Sequence, residues 1–311
     1  MELLKKDSFL EFNPDTLQYL RRQYGLDKPG RIEEAIDLLE EWIKKQPHFE
    51  KKDFPRDYLE RTLIIFSKGS IERAKVKLDK ICTFRTLYPI FFGIYDVRKS
   101  ELLKHVNVGF LPKLNKDHYR TLIIKNNAKS FPNGLAEYHQ FVFMQFEYLQ
   151  AHDYCNGLVI ICDYTEANIL ETLKLRDSLG IRYVRLPPRI YSTVEGFGMR
   201  IKEMHLISNS KAIEAFVTLL KQLLSEKLSS RLRVHKTYET LQEYIPREIL
   251  PRDYGGEEMS LLEIQNILTS KEFTDYLIEM KKARTNEKLR ITTDEDEALG
   301  IPGSFRKLTV D

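Results

Sequence analysis

One acidic side chain stands where α/β enzymes often place a reacting group. The segment 157–163 is a continuous apolar run that ends in Asp163, and such a run is typical of a strand buried on both faces. A carboxylate at the carboxyl end of a buried strand needs a base, a nucleophile or a metal beside it to be catalytic. No such partner lies nearby in the sequence, so we predict that Asp163 ends the strand and caps the turn or the helix that follows.

The sequence lacks the motifs of the common catalytic and nucleotide-binding classes. It has no phosphate-binding loop, no nucleophile elbow and no HExxH zinc motif, and the glycine pair in 196–198 lacks the third glycine of a dinucleotide fingerprint. The three cysteines, Cys82, Cys155 and Cys162, form no CxxC pair, which favours reduced thiols over disulfides or a metal site. We therefore expect no enzyme activity, no metal and no cofactor.

Basic side chains are the stronger chemical signal. Arg200 and Lys202 share one face of a predicted strand by its period of two, and Lys227 and Arg231 are one turn apart if their segment is helical. Anionic lipid attracts clustered basic residues at about 1 kcal/mol for each residue near the surface. A solvated charged face is an equally good explanation of this pattern, so both interpretations stay open.

The composition is that of a soluble globular protein. The chain has 311 residues, of which 42% are hydrophobic and 31% charged, and its net charge is only +3. So small a charge excludes a generally polycationic nucleic-acid binder. The amino terminus lacks an apolar segment of signal-peptide length, and the apolar runs are too short to span a bilayer. We expect a cytoplasmic protein that contacts membranes only peripherally.

The elements that must position these residues fall into three regions. In the first region, helical spacing of apolar residues predicts three helices, the last capped by Ser70: 32–45, 57–66 and 70–83. In the second region, predicted strands alternate with predicted helices: strands 119–124, 157–163, 200–207 and 232–235; helices 133–148, 167–179 and 211–224. One more helix over 260–283 precedes a polar tail. Such alternation predicts an α/β fold with a mostly parallel sheet flanked by helices.

A short motif with two adjacent glycines lies at the end of the second region. Residues 249–258 read Ile-Leu-Pro-Arg-Asp-Tyr-Gly-Gly-Glu-Glu, which resembles the Leu-Pro-x-x-Tyr-Gly-Gly signature at the end of the CRAL-TRIO lipid-binding domain. Upstream, 156–163 resembles the central strand of that family with its terminal aspartate, and 200–207 resembles the next strand. Segments 220–227 and 231–235 are similar to the stretches that follow. Residues 14–92 resemble the helical domain that precedes it, and the tocopherol-transfer and retinaldehyde-binding branch is the most similar.

The resemblance implies a small all-α amino-terminal domain followed by a sheet floor, helical walls and a gate helix that closes a lipid pocket. The implied domains are 1–92 (helical), 93–259 (lipid-binding) and 260–311 (helix and tail). From periodicity alone, the apolar strand faces fit a dry core as well as a pocket. With the resemblance, we predict that nine residues line the pocket: Leu158, Ile160, Cys162, Ile190, Phe197, Ile201, Met204, Phe216 and Leu220.

Two further sets of residues follow from the resemblance. The segment 211–224 is the implied gate, and its membrane-facing residues are Ile213, Phe216 and Leu219. Six basic residues stand where relatives have a groove for phosphoinositide head groups: Arg200, Lys202, Lys221, Lys227, Arg231 and Lys68. Most of the arginines that the family carries near position 66 are replaced here, and Lys68 stands for one of them.

The predicted function is that of a monomeric, non-enzymatic carrier. It would bind one lipophilic molecule, such as a retinoid or tocopherol, and transfer it at anionic membrane surfaces, with no nucleic-acid partner. A phospholipid or phosphoinositide exchanger of the same fold is an alternative that needs polar groups inside the pocket. A scaffold without cargo would instead have a filled, closed pocket. An enzyme would require turnover that depends on Asp163.

Overall fold

The computed structural model of the chain describes residue 4 and residues 9–93, 96–127, 135–167, 199–224 and 226–291. In these parts, helices from both ends of the chain pack around a five-stranded sheet. The helices are α1 (Thr16–Gln23), α2 (Arg31–Lys45), α3 (Arg56–Arg61), α4 (Ile71–Leu87), α5 (Pro89–Phe92), α6 (Leu135–His152), α7 (Ile213–Leu223), α8 (Glu226–Ser229), α9 (Tyr238–Gln242), α10 (Leu261–Leu268) and α11 (Lys271–Met280). The strands are β1 (Val106–Leu114), β2 (Arg120–Asn126), β3 (Leu158–Asp163), β4 (Ile201–Ile207) and β5 (Leu232–His235).

The amino-terminal helices form where apolar residues recur at helical spacing. In α2, Ile32, Ile36 and Leu39 are buried on one face, as the prediction over 32–45 required. Helix α4 begins after Ser70, whose side chain accepts a hydrogen bond from the Arg73 N–H and so satisfies a free amide of the first turn.

The sheet has the order β1-β2-β3-β4-β5. Strands β2 to β5 are parallel to one another, while β1 pairs with β2 in the antiparallel direction. The predicted mostly parallel α/β sheet is therefore confirmed. Strand β1 was not predicted, because Gly109 and Pro112 interrupt its sequence and both residues are disfavoured within strands.

The two faces of the sheet are covered by different helices. Side chains alternate along a strand, so Leu158, Ile160 and Cys162 share one face, which we call the inner face. Helix α6 packs on this face at β1, where the rings of Phe110 and Phe146 are 6.4 Å apart.

The outer face is covered by the carboxyl-terminal segment. Gly109 of β1 lies against Ile264 of α10, and a Cβ atom at Gly109 would stand 2.4 Å from the Ile264 side chain. The residue paired with Gly109 is Ile123, which in turn pairs with Ile161 on the outer face of β3. Glycine is thus required at position 109 because a helix approaches the strand closely.

A bulge in β4 changes which of its side chains reach the inner face. Leu158 pairs with Ile201 and Ile160 pairs with Met204, so three steps along β4 match two steps along β3. Lys202 is the extra residue that the bulge inserts into β4. Residues three apart on a regular strand would face opposite sides, and the bulge instead brings Ile201 and Met204 to the same face.

The apolar core is divided into one large and one small cluster within the described residues. The large cluster runs from the amino-terminal helices through the sheet to α10 and α11. The small cluster consists of Leu206, Ile213 and Phe216 and lies beneath α7. Cys162 packs against both clusters, so the boundary between them crosses the inner face of β3.

The carboxyl-terminal region differs from its prediction. The single helix predicted over 260–283 is wrong, because α10 ends at Leu268 and α11 begins at Lys271. Ser260 and Ser270 each cap the following helix by accepting a hydrogen bond from a first-turn amide. The cap at Ser270 starts a second helix within the segment for which the apolar spacing predicted one continuous helix. The predicted helix 167–179, apart from its first residue Ala167, and the part of the tail beyond residue 291 lie outside the described residues.

Candidate functional site

The inner face of β3 and β4 holds most of the predicted pocket residues. Leu158, Ile160 and Ile201 are buried, at no more than 5% exposed. Cys162 and Met204 are only half-buried. The structure thus brings these five predicted residues onto one surface, of which Cys162 and Met204 are the partly accessible members. Predicted residues Ile190 and Phe197 lie outside the described residues.

Helix α7 lies over the carboxyl end of β4. Ile213 and Phe216 pack against Leu206 and are 9% and 6% exposed, respectively. Leu220, one turn further along, is half-buried against the same cluster. Two of the three predicted membrane-facing residues, Ile213 and Phe216, therefore point inward here, and they would reach a membrane only if α7 moved. Nothing is described for the side chain of Leu219.

Three side chains on the inner side of the sheet are only half-buried. They are Tyr138 of α6, Cys162 of β3 and Tyr164, which directly follows β3. Burial nevertheless raises the pKa of the Cys162 thiol to about 12, and it raises the pKa values of both tyrosines. Burial thus disfavours the charged forms of all three groups. A ligand that contacted these side chains would meet an uncharged, mostly apolar surface.

Asp163 is held by side chains that leave it no free lone pair. Its carboxylate accepts hydrogen bonds from the hydroxyls of Tyr254 (3.0 Å) and Tyr238 (3.2 Å). It also accepts from the backbone N–H (2.9 Å) and hydroxyl (2.7 Å) of Thr165. An ionised carboxylate offers about four acceptor sites, and four donors use them. The prediction that Asp163 caps the following turn is confirmed.

The contact with Asp163 and a tight turn explain why residues 254–256 are Tyr-Gly-Gly. Tyr254 is 1% exposed and places its hydroxyl on Asp163. Gly255 has φ 71°, which favours glycine, and a Cβ atom at Gly256 would stand 2.0 Å from the Leu250 carbonyl oxygen. In the sequence, Asp163 at the end of β3 and the Tyr-Gly-Gly signature are separate features. The sequence signal that they contact each other is that both belong to the pattern of one family.

Four basic side chains gather near the amino end of β4, and we call them the basic cluster: Lys68, Arg73, Arg200 and Lys227. Partial burial and the positive charges of the other three members lower the pKa of Lys68. Among the described residues, no carboxylate forms an ion pair with any member of the cluster. Uncompensated like charges repel one another, so the arrangement is typical of a surface that receives an anion. Arg73 is a member that the sequence did not reveal, although it lies in the helix that follows Lys68.

Arg200 is fixed by contacts that reach the amino-terminal helix. Its guanidinium donates to the Asn156 side-chain oxygen (3.1 Å) and to the Tyr119 hydroxyl (3.4 Å). The Asn156 oxygen also accepts from Gln23 of α1 at 3.0 Å. Gly157 has φ 135°, and a Cβ atom there would stand 2.2 Å from the Arg200 carbonyl oxygen. The Asn-Gly pair before β3 thus positions Arg200 and joins α1 to the sheet.

The remaining predicted basic residues stand apart from the cluster. Lys202 is exposed, and its ammonium is 5.6 Å from the centre of the Tyr119 ring. Arg231 donates to the Ile201 carbonyl oxygen, and Lys221 is exposed near the end of α7. No described contact joins any of the three to Lys68 or Arg73. Arg200 precedes β4 and Lys202 lies in the bulge, so the predicted strand face shared by these two is not formed.

Two other kinds of site are not found in the described parts of the chain. No group of three or more histidine, cysteine, aspartate or glutamate side chains is arranged to hold a metal ion there. No described helix combines the length and the apolar character needed to cross a bilayer.

Comparison with known proteins places the chain in a family. The family model of the CRAL/TRIO domain matches residues 104–256. The alpha-tocopherol transfer protein-like protein of Mus musculus is 23% identical over 239 residues, which cover 74% of this chain and 66% of that protein. The proteins of the same name from Homo sapiens and Pongo abelii are 26% identical over 102 residues, which cover 32% of this chain and 28% of theirs. These matches therefore span less than two thirds of the length of the relatives.

A solved structure also matches. The crystal structure of Sfh5 has 13% sequence identity and a TM-score of 0.43, and the match covers 88% of this chain and 99% of that one. On the sequence model and the five-stranded α/β sheet, the chain belongs to the CRAL-TRIO family, with residues 104–256 as its CRAL/TRIO domain.

Proposed function

We propose that this chain carries one small lipophilic molecule, of the retinoid or tocopherol kind, and transfers it at membranes. The guest would lie between the inner face of β3 and β4 and helix α7. The observation that carries the proposal is that four side chains on the inner face and on the helices beside it are only half-buried: Tyr138, Cys162, Met204 and Leu220. Side chains in a close-packed core are normally buried more completely. The names of the curated relatives support a tocopherol-like guest.

Helix α7 is the proposed gate. Opening it would expose Ile213 and Phe216, and each buried apolar side chain contributes about 1.5–3 kcal/mol. Opening in water would thus cost about 3–6 kcal/mol, which keeps the open state below about 1% of the population. At a membrane the same side chains, with Leu219, would enter lipid, and most of that cost would vanish. The carrier would open where the guest can leave and stay closed elsewhere.

The basic cluster is the proposed contact with anionic membrane, and phosphoinositide head groups are its proposed ligands. Lys202, Lys221 and Arg231, which stand apart from the cluster, would add further positive charge to the membrane contact. The protein would act as a cytoplasmic monomer, peripheral on membranes, with the domain division 1–92, 93–259 and 260–311. The proposal assigns no catalytic residue, and the saturated hydrogen bonding of Asp163 supports that assignment.

A cavity-filling substitution tests the pocket. In Cys162→Phe, the larger side chain would occupy the space that we assign to the guest. A close-packed core loses about 1–3 kcal/mol when it is overfilled, whereas a cavity accepts the ring at little cost. We expect Cys162→Phe to retain its unfolding free energy within about 1 kcal/mol and to lose uptake of pyrenyldecanol, a fluorescent lipophilic probe.

The matched control is Val76→Phe, at a position of α4 that is 37% exposed. This control should bind the probe as the wild type does. A loss of stability in Cys162→Phe without a change in probe uptake would identify the region as dry core and would contradict the carrier function.

A further inference from the structure

Two members of the basic cluster lie beside the same end of α1. Gly69, which follows Lys68, approaches α1 so closely that a Cβ atom there would stand 2.9 Å from the Tyr24 Cβ atom. The neighbouring Gln23 is joined to Arg200, because both donate to one side-chain oxygen. Packing and hydrogen bonds thus hold Lys68 and Arg200 near each other in the folded chain.

The other two members are positioned by short elements next to these. Arg73 is in the first turn of α4, where its N–H donates to the Ser70 hydroxyl at 3.3 Å. Lys227 belongs to α8, and the chain that leaves α8 contacts the start of β4, since Arg231 donates to the Ile201 carbonyl oxygen. Within the described residues, no carboxylate is paired with any of the four cations. A fixed surface of this kind favours an anionic occupant.

The last described part of the chain is held against α4, the helix that carries Arg73. Arg290 donates to the Asp79 carboxylate at 2.8 Å and to the Thr83 hydroxyl at 2.6 Å. Arg290 is only 8% exposed, so this attachment is part of the fold. Asp79 follows Arg73 by six positions, which is about 9 Å along a helix axis. The chain therefore leaves its attachment close to the basic cluster.

An acidic segment follows this attachment. Residues 294–297 read Asp-Glu-Asp-Glu, the longest run of like charges in the sequence. They lie outside the described residues, three to six positions beyond Ile291. An extended chain spans about 3.3 Å per residue, so these positions can reach about 10–20 Å from Ile291. That reach exceeds the axial separation of Arg73 from the attachment, and four carboxylates match the four cations in number.

We propose that the acidic segment 294–297 docks on the basic cluster while the protein is away from membranes and competes there with anionic lipid. This inference rests on the proposed membrane contact and adds its regulation by the same chain. Exposed ion pairs are individually weak, so the segment occupies the cluster only part of the time. A strongly anionic bilayer displaces it, whereas a weakly charged one does not.

Cross-linking with a carbodiimide tests the docking without lipid. The reagent activates a carboxylate, which then forms an amide bond with a touching lysine ammonium, with net loss of water. Mass spectrometry of the digested wild type should find bonds from 294–297 to Lys68 or Lys227. These bonds should be lost near an ionic strength of about 1 M, where the screening length is about 3 Å. Equal yields at Lys44, an exposed lysine of α2, would overturn the docking.

Vesicle sedimentation tests the competition. The tail variant Asp294→Asn/Glu295→Gln/Asp296→Asn/Glu297→Gln should bind phosphatidylserine vesicles about two- to fivefold more tightly than the wild type. The matched control neutralises four exposed carboxylates elsewhere and so has the same net charge: Glu33→Gln, Glu50→Gln, Asp53→Asn and Glu248→Gln. This control should show a smaller gain, because its charges are not attached beside the basic cluster.

The outcomes separate this inference from the membrane contact. Equal gains in the two quadruple variants, or no cross-links from 294–297 to Lys68 or Lys227, would overturn the docking while the membrane contact stands. If neither the wild type nor the tail variant bound anionic vesicles, the proposed membrane contact would fail, and the competition would fail with it.

Discussion

Neutralising one member of the basic cluster should weaken membrane binding by a defined amount. Lys227 and Lys68 are exposed and make no described ion pair, so their replacement by glutamine leaves the fold intact. A basic residue near an anionic bilayer contributes about 1 kcal/mol, which is about a fivefold change in affinity. Each single variant should lose about fivefold, and the double variant about 25-fold.

Sedimentation with phosphatidylcholine vesicles, with and without phosphatidylserine or phosphoinositide, measures this effect. At an ionic strength of about 0.1 M the screening length is about 10 Å, and it falls towards about 3 Å at 1 M. The loss should therefore appear only with anionic lipid and should shrink as salt is added. Lys44→Gln on α2, which removes an exposed lysine outside the cluster, is the matched control.

Equal effects of Lys227→Gln and Lys44→Gln would refute the reasoning, because net charge alone would then explain binding. A loss that persists on neutral vesicles would refute it as well, because an electrostatic contact with anionic lipid cannot produce that result. A larger loss with phosphoinositide than with phosphatidylserine would support a site for the head group over a diffuse surface attraction.

Two predictions concern stability. Tyr254→Phe removes one donor from the buried Asp163, and the unfolding free energy from urea titration should fall by about 1.5–3 kcal/mol. Burial, together with His235 and Arg233, lowers the pKa of His205 to about 3. The unfolded imidazole binds a proton below about pH 6.5 and the folded one does not, so stability is complete above that pH and falls as pH decreases. Below about pH 6 the loss approaches about 1.4 kcal/mol per pH unit, and His205→Gln should reduce it.

Matched variants separate these effects from general damage. Tyr244→Phe removes a hydroxyl with no described bond to Asp163 and should leave stability unchanged. His105→Gln should keep the wild-type dependence of stability on pH. A Glu203 carboxylate oxygen lies 3.4 Å from the His205 ring and favours the charged form of the ring. The measured loss of stability should therefore stay below about 1.4 kcal/mol per pH unit. A wild-type slope in His205→Gln, or full stability in Tyr254→Phe, would contradict the assignments.

The sequence predicted the sheet from strands with a strong apolar signal. The run that forms β3 is buried on both faces, and no other element type suits so short a run beside helical segments. Strand β1 was not predicted because glycine is disfavoured in strands. Gly109 is required in β1 by the close approach of α10, a tertiary contact that local propensity does not encode. The break between α10 and α11 was missed because both helices keep apolar residues at helical spacing, and only the cap at Ser270 separates them.

The candidate site was less predictable because its geometry depends on contacts between distant segments. Period-two counting cannot place Ile201 and Met204 on one face, since a bulge decides it. The grouping of Lys68, Arg200 and Lys227 joins three separate segments of the chain.

The most direct test of the carrier function is to identify what the protein binds. Protein purified under native conditions, and a parallel sample incubated with a mixed lipid extract, would be extracted with organic solvent and analysed by mass spectrometry. We predict one apolar molecule per chain and its absence from Cys162→Phe. A stoichiometric phospholipid would instead identify an exchanger, and folded protein that retains no lipid in either sample would contradict the account.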